Sequence, residues 1–510
     1  MFLKINLRNH SSLHKLFYSL NSFESFENLN IKLGEFMKNN KVLKAGIGYT
    51  IGNYLLKGLS FISIPIYTRL LSTSSYGAFN NFLTYESIFF IILGCAIHSS
   101  YNSAHYKYKV NSVDGGYYAY TSTTIVFILV STLIWILVTN TFSATLSKWL
   151  EMDKFSLNLL VIYSAASALI TCFNYDVSIN YEYKKFLAVS GFNAISTVLI
   201  SVLLLLTLFD RERYMGMIIG ASIPSILASV YVIIYFFRRA RPKNFFNFLR
   251  WGLVYSLPIV PNGLSQVILN QFDRIMITKL VSLAATGVYS FAYNIYSILA
   301  VTFNSLDSVW APWFYRQMQS KNYKAIRKYS SLYIALMFVF ASGIILVSPE
   351  LIIILGQRNY WVAKYTVIPV VAGGYFAFLY TIPVVVEYYY SKTGWIALGT
   401  TMAAIINILL NWFLIPKFGY IAAAYSTLVT YILYFGFHFF IARKIHGTDL
   451  FSTKVIFACS IGILFISLLT RLFIGIILLR WLLAISVVII FIIYEEKRYG
   501  FIKQKLGDIK

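Results

Sequence analysis

The feature that most limits what this chain can become is a series of apolar runs, each long enough to cross a bilayer. A spanning helix needs roughly 20 apolar residues. Fourteen stretches qualify: 45–67, 77–99, 117–140, 156–178, 186–208, 215–237, 251–277, 284–306, 328–348, 364–386, 393–415, 419–441, 453–473 and 475–494. The polar gaps between them are short, so no sizeable domain fits outside the membrane. The runs are far longer than the ~10-residue alternating strands of a membrane barrel. The expectation is an all-α polytopic membrane protein of about 14 transmembrane helices. One junction, Leu472–Ile477, has almost no loop and is flanked by Arg471 and Arg480, so a 13-helix reading stays open there. Composition points the same way: 58% of the 510 residues are apolar and 12% are charged, against about 45–50% and about 25% in soluble domains. A soluble enzyme, a fibre and a disordered chain are excluded on that ground.

The formal charge is +24. In a soluble protein such a balance would suggest nucleic acid. Here the Lys and Arg residues occupy the gaps, where they set orientation and meet anionic headgroups. The expected partner is the lipid bilayer, with no nucleic acid. Thirty Lys/Arg fall on the side of the N-terminus and twelve on the other, which places both termini in the cytoplasm. Residues 1–44 contain Lys4, Arg8, Lys15, Lys32, Lys38, Lys41 and Lys44 without an apolar h-region, so they read as a basic cytoplasmic tail and not as a cleaved signal. Residues 495–510 read as a second cytoplasmic tail. Cys95, Cys172 and Cys459 are far apart inside apolar runs. Neither a disulfide framework nor a metal site is expected.

A short repeat suggests the domain plan. Thr68-Arg69-Leu70-Leu71-Ser72, then Gly77, returns 210 residues later as Thr278-Lys279-Leu280-Val281-Ser282, then Gly287. The shared pattern is T-[RK]-L-[LV]-S-x4-G. An offset of six helices is even, so the two halves are parallel repeats, a transporter plan with the substrate site between halves. This gives an N-lobe at 45–237, a cytoplasmic linker at 238–250, a C-lobe at 251–441 and two further helices over 453–494.

No acidic pair in an extramembrane loop, Gly-rich phosphate loop or Ser/His/Asp arrangement is present, so the chain is not expected to be an enzyme. The densest charge cluster, Asp210-Arg211-Glu212-Arg213, reads as a solvated connector. Charges inside spans are more telling, since one at a helix centre costs about 2.5–3.5 kcal/mol on insertion scales. Lys57 and Glu86 lie within the first two runs. Asp273, Arg274 and Lys279 lie late in the seventh. Asp307 closes the eighth run and Glu387 the tenth. One reading gathers Lys57, Arg69, Arg274 and Lys279 around a cationic cavity for an anionic substrate. The other is structural: Lys57 pairs with Glu86, Asp273 pairs with Arg274 or caps a helix, and Arg69 and Lys279 snorkel to the interface. Asn407 and Asn411 share a helix face and either line the cavity or bond a neighbouring helix. Pro258 and Pro261 each remove a backbone hydrogen bond and are hinge candidates in the seventh run.

The order and spacing of several motifs resemble the polysaccharide flippases, the O-antigen and capsule repeat-unit transporters of the multidrug/oligosaccharidyl-lipid/polysaccharide exporter superfamily. The matching stretches are Pro65-Ile66-Tyr67-Thr68-Arg69-Leu70-Leu71 with Tyr76-Gly77, then Leu257-Pro258 through Asp273-Arg274 with Gly287-Val288-Tyr289-Ser290. Trp310-Ala311-Pro312-Trp313 follows, and then Thr393-Gly394, Asn407, Asn411 and Ile415-Pro416-Lys417-Phe418-Gly419 with Ala422-Ala423-Ala424. The likeness runs from about 42 to about 445. Ile421 departs from the family's small residue, and the N-terminal tail is longer than the family's. The resemblance implies a V-shaped two-lobed bundle in the bacterial inner (cytoplasmic) membrane. It implies as substrate an undecaprenyl-diphosphate-linked oligosaccharide, with cavity cations on the diphosphate. It also implies a coupling ion, H+ or Na+, and, as partners, a polymerase and a chain-length regulator. The rival readings are a cation-coupled drug exporter, for which Glu86 would be the site, and a peptidoglycan-precursor flippase.

Overall fold

The computed structural model of the chain describes residues 41–108, 115–447 and 450–499. Among these residues every regular element is helical. In chain order the α-helices are α1 (Lys41–Leu70), α2 (Thr73–Gly94), α3 (Tyr101–Lys107), α4 (Gly116–Thr141), α5 (Ser143–Leu150), α6 (Lys154–Ile179), α7 (Tyr183–Thr207), α8 (Arg213–Arg239) and α9 (Phe245–Ser256). They continue as α10 (Val260–Leu280), α11 (Leu283–Gln319), α12 (Tyr323–Leu355), α13 (Lys364–Leu379), α14 (Thr381–Tyr389), α15 (Thr393–Phe418), α16 (Tyr420–His446), α17 (Thr453–Leu472) and α18 (Ile477–Tyr499). Short 3₁₀ segments precede α3, α10 and α13. Of the expected tails, residues 1–40 and 500–510 lie outside the described residues, while 41–44 already belong to α1 and 495–499 to α18.

Eleven helical runs are long and apolar enough to cross a bilayer, and a bent pair, α2 with 97–107, makes a twelfth. The expected fourteen spans are therefore met only in part. The exceptions, α1 and α11, are long but polar: α1 carries Lys44, Lys57 and Arg69, and α11 carries Asp307, Arg316 and several Ser and Asn residues. Three boundaries differ from the sequence reading. The run 77–99 is broken by Cys95 and Ala96, both left-handed at φ 46° and 51°, and the chain turns through 54° there. The eighth run does not close at Asp307; α11 continues three more turns to Gln319. Of the linker 238–250, only 240–244 is non-helical, because the aromatic residues Phe248 and Trp251 pull α9 onto Tyr108 and Tyr120 of the first half.

The repeat motif has a physical reason in both copies. Ser72 caps α2 by accepting from the Ser75 amide at 3.1 Å, and Ser282 caps α11 by accepting from the Ala285 amide at 3.2 Å. Such a cap satisfies an orphan amide of the first turn. The glycine one turn further on serves packing. A Cβ on Gly77 would lie 1.8 Å from the Leu283 carbonyl oxygen, and one on Gly287 would lie 1.9 Å from that of Thr73. Residues 73 and 283 are themselves 210 apart, so α2 and α11 cross backbone to backbone in a reciprocal contact. Small residues permit such close helix crossings.

That crossing sits at the end of the bundle holding the α1–α2 turn, here called the distal end. Several polar bonds between the first-half and second-half helices gather there. Thr68 Oγ1 donates to the Leu355 carbonyl at 2.7 Å, Tyr360 OH to that of Leu71 at 3.1 Å, and Asn294 Nδ2 to Tyr76 OH at 2.8 Å. At the opposite, proximal end, α9 reaches across to the first half, and Asp176, Glu182 and Arg239 form an ion cluster within it, with Arg239 2.7 Å from Asp176.

The junction at Leu472–Ile477 is a turn between two separate helices, α17 and α18. Arg480 is not a loop charge. It is 1% exposed and makes two bonds to Glu350 of α12, at 2.5 and 2.8 Å, and one to the Leu346 carbonyl at 2.6 Å. Removing one partner of a buried pair costs about 3–5 kcal/mol, whereas replacing both by apolar residues is often neutral. Arg480→Leu should therefore lower the melting temperature of the purified protein, and Glu350→Leu/Arg480→Leu should recover most of the loss. Additive losses in the double variant would contradict the pairing.

Candidate functional site

Three of the sequence candidates converge. Asp273, on α10, is 1% exposed, and burying a carboxylate demands compensating donors. Tyr289 OH of α11 donates at 2.5 Å, Asn411 Nδ2 of α15 at 2.6 Å and Thr427 Oγ1 of α16 at 2.9 Å. Asn411 also donates to Asn407 Oδ1 at 3.1 Å, and Asn407 Nδ2 donates to Thr427 at 3.2 Å. The cluster ties four helices of the second half together. Asn407 and Asn411 thus bond neighbouring helices, and Asp273 does not pair with Arg274. Among the described residues no group of three or more His, Cys, Asp or Glu side chains is placed to hold a metal ion. Asp273→Ala would leave the three donors without their acceptor. With about 1–3 kcal/mol for each orphaned buried group, it should cost several kcal/mol, read as a fall in melting temperature larger than that of Asp273→Asn.

Beside this cluster runs a polar face. Gln266, Asn270 and Arg274 are four residues apart on α10 and share one side. Gln266 and Asn270 line a cavity of about 340 Å3 with Tyr296, Asn304, Tyr380, Tyr431 and Tyr434. Its walls are amide, phenol and hydrocarbon, with no charged side chain. Tyr431 OH donates to Asn270 Oδ1 at 2.8 Å. Arg274 lies one turn further toward the distal end, half-buried. Its Nε donates to Ser290 Oγ at 3.2 Å, and its guanidinium sits 5.0 Å from the Tyr293 ring centre. Nothing in the sequence alone singled out the tyrosines of this cavity, because 40 Tyr residues are spread along the chain.

The remaining candidates lie elsewhere. Lys57 is on an exposed part of α1 and forms no ion pair with Glu86. Glu86, half-buried on α2, stands beside Ser167 of α6. Arg69 is exposed at the end of α1. Lys279, also exposed, donates to the Trp149 carbonyl at 2.6 Å and so joins α10 to α5 of the first half. Pro258 lies within the 3₁₀ turn Leu257–Ile259 that joins α9 to α10, and Pro261 in the first turn of α10. Of the four cations, Arg274 stands one turn beyond the polar cavity, and Lys57, Arg69 and Lys279 are exposed.

With the geometry in hand, comparison with known proteins gives a family. The model of the polysaccharide biosynthesis protein family matches residues 42–318, more than half the chain. The chain belongs to this family. Among curated relatives, a protein of the Lsg locus of Haemophilus influenzae is 24% identical over 386 residues, 72% of this chain and 90% of its own length. Among solved structures, the Lipid II flippase MurJ in an inward closed conformation has a TM-score of 0.63 at 15% identity, covering 88% of this chain and 99% of MurJ. An inward-facing multidrug resistance MATE transporter of the MOP superfamily has a TM-score of 0.58 at 10% identity, covering 77% and 96%. At such identities the likeness is one of fold: a polytopic, all-helical membrane protein.

Proposed function

We propose that this polysaccharide biosynthesis protein flips undecaprenyl-diphosphate-linked oligosaccharide repeat units across the bacterial cytoplasmic membrane, with both termini in the cytoplasm. The observation that carries the reading is the α10 face. Gln266 and Asn270 open onto a neutral cavity rich in amides and phenols, and Arg274 follows one turn beyond. Sugar hydroxyls suit the first and a diphosphate the second, because phosphate pairing with a guanidinium is charge-assisted and strong away from water. Lys57 is the second cation offered to the diphosphate. The prenyl chain stays in the bilayer while the head crosses.

In this reading two lobes, residues 45–237 and 251–441, rock about the distal crossing of α2 and α11, which faces the outer leaflet. Pro258 and Pro261 absorb the bend in the seventh segment. A gradient of H+ or Na+ drives the cycle. A polymerase and a chain-length regulator of the polysaccharide pathway would take up the product. Asn270→Ala tests the sugar half of the proposal. One neutral hydrogen bond is worth roughly 1 kcal/mol, so transport of an oligosaccharide-bearing lipid should fall about fivefold at unchanged membrane level. An equal fall for undecaprenyl diphosphate without sugar would argue against sugar contacts at Asn270.

A further inference from the structure

A buried titratable pair lies behind the cavity wall. Glu387 of α14 and His438 of α16 are both 0% exposed, with His438 Nδ1 2.6 Å from Glu387 Oε1. The other two polar atoms, Glu387 Oε2 and His438 Nε2, are buried without a hydrogen-bond partner. Buried polar groups are normally satisfied, and exceptions call for a reason. Nor does the pair look like packing alone. Apolar residues would fill the space without desolvating a carboxylate.

The surroundings connect it to the cavity. The imidazole ring lies 4.6 Å from the Tyr434 ring and 5.9 Å from that of Tyr380, and both tyrosines line the cavity on their other side. Thr427, Tyr431, Tyr434 and His438 fall on one face of α16, so a row of polar groups leads from the Asp273 cluster past the cavity to the pair. Tyr434 OH is also 2.8 Å from Thr400 Oγ1 of α15. The other titratable groups around the pair are Asp307 of α11, Tyr380 between α13 and α14, Tyr388 of α14 and Tyr434. Lys392, whose amide bonds the Glu387 carbonyl, is itself exposed. α15 presents Gly399 to the imidazole, and a Cβ there would lie 2.8 Å from Nε2.

We propose that Glu387 and His438 form the proton-loading site of the transport cycle, which makes the coupling ion H+. With the carboxylate ionised and the imidazole neutral, the pair carries one negative charge. One proton, taken at His438 Nε2 or shared between Nδ1 and Oε1, makes it neutral, and release restores the charge. The change acts on the packing of α14, which follows α13 directly after Tyr380 and is tied to α16 by the pair. Protonation behind Tyr380 and Tyr434 and occupancy of the cavity in front of them are thereby linked.

The use of the site rests on the flippase reading; its existence does not. The test has two readings on the full-length protein. In pH-difference infrared spectra of the purified protein, the wild type should show a change in a buried carboxyl or carboxylate band that is lost in Glu387→Gln and shifted in His438→Gln. Spectra unchanged in both variants would overturn the proposal. In proteoliposomes with the membrane potential clamped, one proton per substrate and a gradient of one pH unit should bias a fluorescent undecaprenyl-diphosphate oligosaccharide about tenfold between leaflets. Glu387→Gln should bring the ratio to one, and Glu387→Asp should restore part of it. A tenfold bias kept by Glu387→Gln would equally overturn it. If no chain moves the lipid, the flippase reading fails while the infrared comparison still decides the proton site.

Discussion

Gly77→Ala should disable the protein, although alanine is the better helix former. Within a helix the exchange gains about 1 kcal/mol in intrinsic propensity. Here the added methyl would stand 1.8 Å from the Leu283 carbonyl oxygen. Both sides of that contact are helix backbone, so neither can rotate away. Overpacking in a well-packed core costs about 1–3 kcal/mol, and a backbone-to-backbone clash belongs at or above the top of that range. Clash outweighs propensity, and α2 and α11 must separate. Because the crossing carries the Tyr76–Asn294 and Leu71–Tyr360 bonds with it, transport should fall to background and the melting temperature should drop. Gly287→Ala should do the same, since its methyl would meet the Thr73 carbonyl oxygen at 1.9 Å. Gly191→Ala on α7 and Gly343→Ala on α12 are the controls: nothing lies within 4 Å of either position, so both should be neutral or slightly stabilising. Normal transport by Gly77→Ala would contradict the crossing.

Arg274→Ala is expected to have the largest effect on transport of any substitution away from the helix crossing. A charge-assisted bond to phosphate contributes about 1.5–3 kcal/mol, which corresponds to roughly tenfold to 150-fold. Among the described residues the side chain's only polar bond is to Ser290 at 3.2 Å, so its loss should leave the fold intact: the variant should insert and melt like the wild type. Arg274→Lys keeps the charge but not the fork or the stacking on Tyr293, and it should recover part of the rate. A fall in melting temperature matching the fall in transport would mean that Arg274 serves the fold instead.

The architecture was legible because lipid leaves few options. Runs of about twenty apolar residues give spanning helices, and the spacing of the repeat located the paired helix starts. What the sequence hid was chiefly contact. The repeat glycines stood in the sequence only as part of a pattern, yet they are where two backbones touch. Cys95 and Ala96 gave no warning of the break after α2, since neither residue favours left-handed backbone. Arg480 looked like a loop charge because Glu350 is 130 residues away. For the site, insertion cost flagged Asp273 and Arg274 and a shared helix face flagged Asn407 and Asn411, and three of the four meet in one buried cluster. The cavity tyrosines were invisible for the opposite reason. A tyrosine in an apolar run costs little, and only the packing of α10, α11, α13 and α16 distinguishes these from the rest. The depth of Lys57 in the sequence suggested a cavity or a partner, and in the structure it lies on an exposed part of α1.

The most direct test of the account is a flipping assay in proteoliposomes. A fluorescent undecaprenyl-diphosphate oligosaccharide is placed in one leaflet, and its arrival in the other is followed for wild type, Arg274→Ala and Gly77→Ala. The account predicts protein-dependent translocation by the wild type, a loss of tenfold or more in Arg274→Ala and background rates in Gly77→Ala. No translocation by the wild type, with gradient-driven efflux of a cationic dye that depends on Glu86 in its place, would contradict it.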